Sequence, residues 1–165
     1  MEDLIIKKIT ALLLIAVMAV TFMTGCGTDP ILDDLSNYLN VEMAEINANH
    51  TAIGEHDAKM RTLEDDEALA VYIEENILPL VYDSIQKLES VNPSTEEVLV
   101  LKEVYSAMMG AYKGGYEALC AGCITQDDEV IASAVELLEA AAETLDIYNQ
   151  EVEALVSEHG GEVEY

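Results

Sequence analysis

The chain has 165 residues, 33 of them acidic and 7 basic, so its formal net charge is −26 and its pI is near 4.1. Such an excess of negative charge repels phosphate backbones and anionic headgroups, which excludes electrostatic binding of nucleic acid and adhesion to membranes through a basic patch. With 51% apolar residues, 24% charged, no Trp and only three Pro, the composition is that of a single helix-rich globular domain rather than a disordered chain.

Lys7 and Lys8 stand just before an uncharged run from Ile9 to Gly25, with Glu2 and Asp3 offsetting their charge. The run is short for a membrane-spanning helix and has the length of the apolar region of a secretory signal. It ends in Met23-Thr24-Gly25-Cys26. This junction resembles the lipobox of bacterial lipoproteins, with Met23 where that motif usually has Leu. The resemblance implies that Cys26 is lipidated and becomes the new amino terminus. Two acyl chains on its sulfur, at about 0.8 kcal/mol per buried methylene, would hold the protein stably at a membrane. The resemblance is confined to the signal and implies nothing about the rest of the chain. The expected division is a signal peptide over 1–25, the lipidated Cys and a short linker over 26–29, a helical domain over 30–161 and a frayed tail over 162–165. The signal holds two acids and two bases, so the mature chain keeps 31 and 5 and the same net charge of −26.

A first helix is expected from Asp29-Pro30, with Asp29 as N-cap and Pro30 in the first helical position. Its apolar stripe is Leu35, Leu39, Met43, Ile46 and Ile53, continuing to Met60. A second helix follows Thr62, which has capping-box spacing to Asp65, and carries Ala70, Ile73, Ile77, Val81, Ile85 and Leu88. Pro79 lies inside this stripe and predicts a kink, because it removes a backbone donor and crowds the preceding turn. Asn92-Pro93-Ser94-Thr95-Glu96-Glu97 stops that helix and opens a third with a Ser94–Glu97 capping box. Val98, Leu101, Tyr105, Met108, Tyr112, Gly115 and Leu119 then follow a heptad register. A fourth helix starts near Thr125 or Asp127 and keeps the register through Ile131, Ala134, Leu138, Ala141, Leu145, Tyr148, Val152 and Leu155. Gly160-Gly161 ends it. Short connections make neighbours antiparallel, so the expected fold is all-α, an up-down antiparallel four-helix bundle after the lipoprotein signal peptide. A three-helix bundle with a loose first helix is the alternative, since Asn47-Ala48-Asn49-His50-Thr51 is a weak helix former.

Cys120-Ala121-Gly122-Cys123 is the sharpest local motif. Read as a redox pair it is badly placed, because it closes the third helix, where the dipole and the surrounding acids oppose a thiolate. Read structurally, Cys120 and Cys123 form a disulfide that tightens the turn to the fourth helix, with the helix loosening near Gly122 to allow the bridge. His50, His56 and His159 form no ligand set, and no His has a Glu three residues before it, as a di-iron bundle requires. The acidic clusters 64–67, 74–75, 96–97 and 127–129 fall mostly in first helical turns, where carboxylates favour the dipole. They lack the calcium-loop spacing and imply at most weak attraction of divalent cations.

Tyr105, Tyr112 and Tyr148 occupy stripe positions, with Tyr72, Tyr82 and Tyr116 near them. They fill the core or line a polar pocket, while Gly110, Gly114 and Gly115 permit a close helix crossing or leave room for a ligand. No nucleophile elbow, phosphate loop or dinucleotide fingerprint occurs in the chain. The expectation is therefore an extracytoplasmic protein, lipid-anchored to the bacterial cell membrane or envelope through Cys26. Its acidic helical domain would act without catalysis and without a cofactor, as a binding or scaffolding module for a protein partner. Two alternatives stand beside this: a bundle holding a small molecule or cation among the tyrosines and glycines, and a thiol-redox lipoprotein using Cys120 and Cys123.

Overall fold

The structure is a computed structural model that describes residues 29–161. The expected signal peptide, Cys26 and the tail from Glu162 to Tyr165 lie outside the described residues. The described residues are all-helical, with no strand among them. Helix α1 (Pro30–Asn37) passes through a π-helical turn (Tyr38–Glu42) and Met43 into α2 (Ala44–Met60). Helix α3 (Asp66–Tyr72) passes through a second π-helical turn (Ile73–Ile77) into α4 (Leu78–Leu88). The long helices α5 (Glu96–Thr125) and α6 (Asp128–Glu158) follow, and they share the largest contact in the fold. Among the described residues no helix is long and apolar enough to cross a membrane.

Three expected starts and stops hold. Asp29 caps α1, its Oδ1 accepting from the backbone N–H of Ile31 at 2.9 Å and of Leu32 at 3.3 Å. Asp127 caps α6 through Glu129 and Val130, at 3.0 and 3.2 Å. Gly160, at φ +75°, takes the left-handed position that ends α6. Two others are corrected. Thr62 donates its hydroxyl to the carbonyl of Lys59 instead of capping, and Asp65 caps α3 through Ala68 N–H at 2.8 Å. The helix therefore starts one turn later.

The Ser94–Glu97 capping box is also replaced. The residue at the N-cap of α5 is Thr95, and its side chain makes no cap within its own helix. Asp34 of α1 does that work from 60 residues away. Its carboxylate accepts from Ser94 N–H (3.0 Å), Thr95 N–H (2.8 Å) and the Thr95 hydroxyl (2.7 Å). A carboxylate aimed at the positive end of a 30-residue helix satisfies otherwise orphaned donors and ties α1 to α5. Burial works to raise the pKa of Asp34, yet the bonds from Ser94 and Thr95 together outweigh it and hold the carboxyl below its usual range.

Around Pro79 the hydrogen-bond pattern changes before the proline rather than at it. The π-helical turn ends at Ile77, and Pro79 then occupies the first turn of α4. The change of stripe phase between Ile77 and Val81 reflects that inserted residue. In the first segment the weak stretch Asn47–Thr51 lies wholly inside α2. Tertiary contacts override its propensity: Asn49 Nδ2 donates to Asp83 Oδ2 at 2.6 Å and to Ser84 Oγ at 3.2 Å.

Helices α5 and α6 run antiparallel at close range. A Cβ built on Gly115 would stand 2.7 Å from Leu138 Cγ, and one on Gly122 would stand 2.7 Å from Ile131 Cγ1 and 3.0 Å from its backbone N. Seven residues forward in α5 match seven back in α6. Gly115 and Gly122 thus carry the close crossing, whereas Gly110 has nothing within 4 Å and Gly114 only Leu137 Cδ1 at 3.9 Å. Of the three glycines expected to permit a close crossing, Gly110, Gly114 and Gly115, only Gly115 carries it, and Gly122 joins it.

Almost every expected stripe residue is buried, from Leu35 to Met60 in the first segment and from Val98 to Leu119 in α5. Ile85 and Leu155 are only partly buried, and Ser84 and Val156 take the inward positions beside them.

Candidate functional site: a buried tyrosine and histidine column

The heptad spacing that buries Ile46, Ile53 and Met60 carries His50 and Asp57 inward on the same face of α2. Across from them α5 presents Tyr105, Tyr112 and Tyr116, α6 presents Tyr148, and the first π-helical turn presents Tyr38. All of these side chains are buried. The rings form a continuous column. Tyr148 meets Tyr105 edge-on with centroids 5.2 Å apart, and His50 stands edge-on between Tyr105 and Tyr112 at 5.8 Å from each. Tyr112 stacks on Tyr116 at 6.1 Å. Such aromatic contacts contribute about 0.5–1.5 kcal/mol each beyond area burial.

The polar atoms of the column are only partly matched. His50 Nδ1 lies 2.8 Å from the Tyr105 hydroxyl. Tyr148 donates weakly to Tyr38 at 3.5 Å, and Tyr116 to Asp57 Oδ1 at 3.4 Å. Arg61 grips the other Asp57 oxygen with Nε at 2.8 Å and Nη2 at 2.6 Å. His50 Nε2 and the Tyr112 hydroxyl have no hydrogen-bond partner among the described residues. Burial pushes the His50 pKa down to about 4, so the imidazole is neutral near pH 7. It also raises Asp57 against the opposing pull of Arg61, and raises all five phenols.

The structure therefore brings Tyr105, Tyr112 and Tyr148 together, as their register predicts, with Tyr116 joining them. Tyr72 lies outside the column, bonded through its hydroxyl to His56 Nδ1 at 2.7 Å under Lys59 Nζ, 5.2 Å from its ring. Tyr82 is exposed and donates to Glu117 at 2.8 Å. Sequence reasoning missed Tyr38, His50 and Asp57 as members of the column. The signal was available, because positions 50 and 57 fill the gaps in a stripe whose named members 46, 53 and 60 are one heptad apart.

Cys120 and Cys123 are both buried free thiols near the end of α5. The helix continues to Thr125 and does not loosen at Gly122, whose small size serves the approach of Ile131 instead. Side chains three apart on such a helix do not meet at bridge geometry. The Cys120 thiol points to the carbonyl of Ala70 at 3.5 Å. Burial, then Glu74 and Cys123, raise its pKa to about 12; burial and Asp66 raise Cys123 to about 11. Among the described residues no group of three or more His, Cys, Asp or Glu side chains is arranged to hold a metal ion.

Comparison with protein-family models, with curated proteins and with solved structures finds no match to the chain.

Proposed function

We propose that the protein is an extracytoplasmic lipoprotein, anchored through Cys26, whose domain is an up-down antiparallel four-helix bundle serving as an acidic, non-enzymatic binding or scaffolding module. One observation carries the functional part. The Cys120 and Cys123 thiols are turned inward and their reactivity is muted by burial, while the column tyrosines pack ring against ring as part of the core. The solvent-facing surface is rich in carboxylates interspersed with exposed apolar residues such as Val41 and Ile124, a mixture that suits a docking surface for a protein partner.

The bundle reading draws on the antiparallel α5–α6 pair and on contacts that gather at one end. There Asp34 meets Ser94 and Thr95, Glu42 Oε2 accepts from Asn92 N–H at 3.0 Å, and His159 Nδ1 lies 2.9 Å from Asp29 Oδ2. Asp29 is three residues beyond Cys26, so this end would face the membrane. The anchor is tested by Cys26→Ser, which should release the protein from the membrane fraction or block its processing. Recovery of the variant in membranes at its mature mass overturns the anchor. Cross-linking on intact cells then tests the scaffolding role: a recurrent captured protein is expected, and only unlinked monomer argues against it.

A pocket for a small polar molecule is the second reading, favoured by the unpartnered His50 Nε2 and Tyr112 hydroxyl. The glycines do not support it, because Leu138 and Ile131 occupy the space beside Gly115 and Gly122. Tyrosine fluorescence during ligand screening separates the two readings.

A further inference from the structure

We propose that Tyr105 and His50 form a proton-coupled one-electron redox pair, with the neighbouring tyrosine rings as its path to the surface. The inference rests on the column alone and is independent of the membrane anchor and of any binding partner.

The geometry supplies what such a pair needs. A phenol is hard to oxidise while it keeps its proton, and becomes accessible when a base accepts that proton as the electron leaves. His50 Nδ1 stands 2.8 Å from the Tyr105 oxygen, within the range for direct transfer. In the tautomer that carries its proton on Nε2, Nδ1 is free to accept the phenol proton. Burial disfavours the imidazolium and so drives that proton back when the electron returns. Tyr105 is 2% exposed, so a radical formed there is shielded from water and from radicals on other molecules. Tyr148, 5.2 Å away and 6% exposed, is the link toward solvent, and Tyr112 continues the column beyond His50.

The step balances as follows. An outer-sphere one-electron acceptor takes one electron from Tyr105 and is itself reduced. The phenol proton moves to His50 Nδ1, leaving a neutral tyrosyl radical beside an imidazolium. Return of one electron from a one-electron donor sends the proton back and restores both side chains. No bond between heavy atoms forms or breaks.

The test uses the full-length protein and a photogenerated ruthenium(III) polypyridyl complex as the oxidant, followed by transient absorption and electron paramagnetic resonance. A persistent tyrosyl signal is expected in the wild type and in Tyr82→Phe, which removes an exposed phenol outside the column. Tyr105→Phe should abolish that signal while helical circular dichroism is retained. His50→Gln keeps a hydrogen-bonding side chain but no base, and should slow radical formation by about a hundredfold, the low end for a positioned proton acceptor. Formation in the wild type should also be slower in D2O than in H2O, a readout that needs no variant to fold. A persistent radical in Tyr105→Phe, an unchanged rate in His50→Gln or an absent isotope effect each overturns the proposal.

Discussion

Alanine at Gly122 and at Gly110 should move stability in opposite directions, although both glycines lie in the same helix. Exchanging a helical Gly for Ala removes unfolded-chain freedom and adds about 1 kcal/mol of helix propensity. At Gly110 the new methyl meets nothing within 4 Å, so Gly110→Ala should stabilise by about 1 kcal/mol and raise Tm by about 3 °C. At Gly122 the methyl would lie 2.7 Å from Ile131 Cγ1, 3.0 Å from the backbone N of Ile131 and 3.3 Å from Val130 Cγ1. A side chain can rotate away, but a helix backbone must shift as a unit. Overpacking costs about 1–3 kcal/mol, and with backbone as the obstacle the upper half of that range applies. After the propensity gain of about 1 kcal/mol, Gly122→Ala is destabilised by about 1–2 kcal/mol. Gly115→Ala should fall between them, since it presses on the Leu138 side chain at 2.7 Å and its backbone only at 3.3 Å. Urea unfolding of the three variants, followed at constant m-value, measures the order directly. Equal and favourable changes at Gly110 and Gly122 would refute the close approach of α5 and α6.

Asp34→Ala strips the cap from α5 and leaves Ser94 and Thr95 N–H unmatched, so it should cost about 1–2 kcal/mol in urea unfolding. Its carboxyl is held below its unfolded value, so this stabilisation is present near neutral pH and is lost as pH falls through the native pKa. Gln126 ends α5 at φ +54° in the left-handed region, where a Cβ costs about 1–2 kcal/mol, so Gln126→Gly should raise Tm in calorimetry. His50 drops from 6.5 to about 4 on folding, so the unfolded state takes up a proton that the native state refuses. Stability should fall by on the order of 3 kcal/mol between pH 6.5 and pH 4, and the unfolding midpoint of His50→Gln should lack that share of the slope. Stability should also rise between about 10 mM and 150 mM salt, as the screening length shrinks from about 30 to about 8 Å and weakens repulsion within a chain of net charge −26. A flat salt response measured by urea midpoints would remove that reading.

The helical segments and most of their inward faces were legible because apolar residues repeat every three or four positions across them. Asp29 and Asp127 were legible as caps because a cap acts on its own next turn. Asp34 was not, since its partners are 60 residues away and nothing local marks the pairing. Ser94 and Glu97 satisfy the capping-box spacing, but the distant carboxylate takes the Ser94 N–H that the Glu97 side chain would otherwise accept from. The column was half legible. Tyr105, Tyr112 and Tyr148 stood out as large residues on a stripe, whereas the polarity of His50 and Asp57 hid the fact that they keep the same register. A stripe defined only by apolar residues skips the positions where a core carries polar groups. The π-helical turns were invisible except through the phase shift near Pro79, because an inserted residue alters spacing without altering residue type.

The register of α5 against α6 is itself a consequence of side-chain size. With Gly115 beside Leu138 and Gly122 beside Ile131, the antiparallel register brings Tyr105 level with Tyr148, a pairing seen in their ring contact. On the same count Tyr112 comes level with Ala141 and Leu119 with Ala134. Tyr112, Leu119, Leu138 and Ile131 thus each face a small residue, whereas Met108 comes level with Leu145, Leu101 with Val152, and Tyr105 with Tyr148, whose rings meet edge-on. Sliding α5 by one heptad would keep every apolar residue inward, so hydrophobic burial alone does not choose between registers. One such slide sets Tyr112 level with Tyr148, Leu119 with Ala141 and Gly122 with Leu138, so the last two pairs keep a large residue facing a small one. It also withdraws Tyr105 from Tyr148. The opposite slide sets Met108 against Leu138, where Gly115 leaves room in the observed register, and likewise parts Tyr105 from Tyr148. The close approach at Gly115 and Gly122 and the Tyr105–Tyr148 ring contact belong to one alignment, and agreement of that kind between independent constraints is what gives a helix pair a single register.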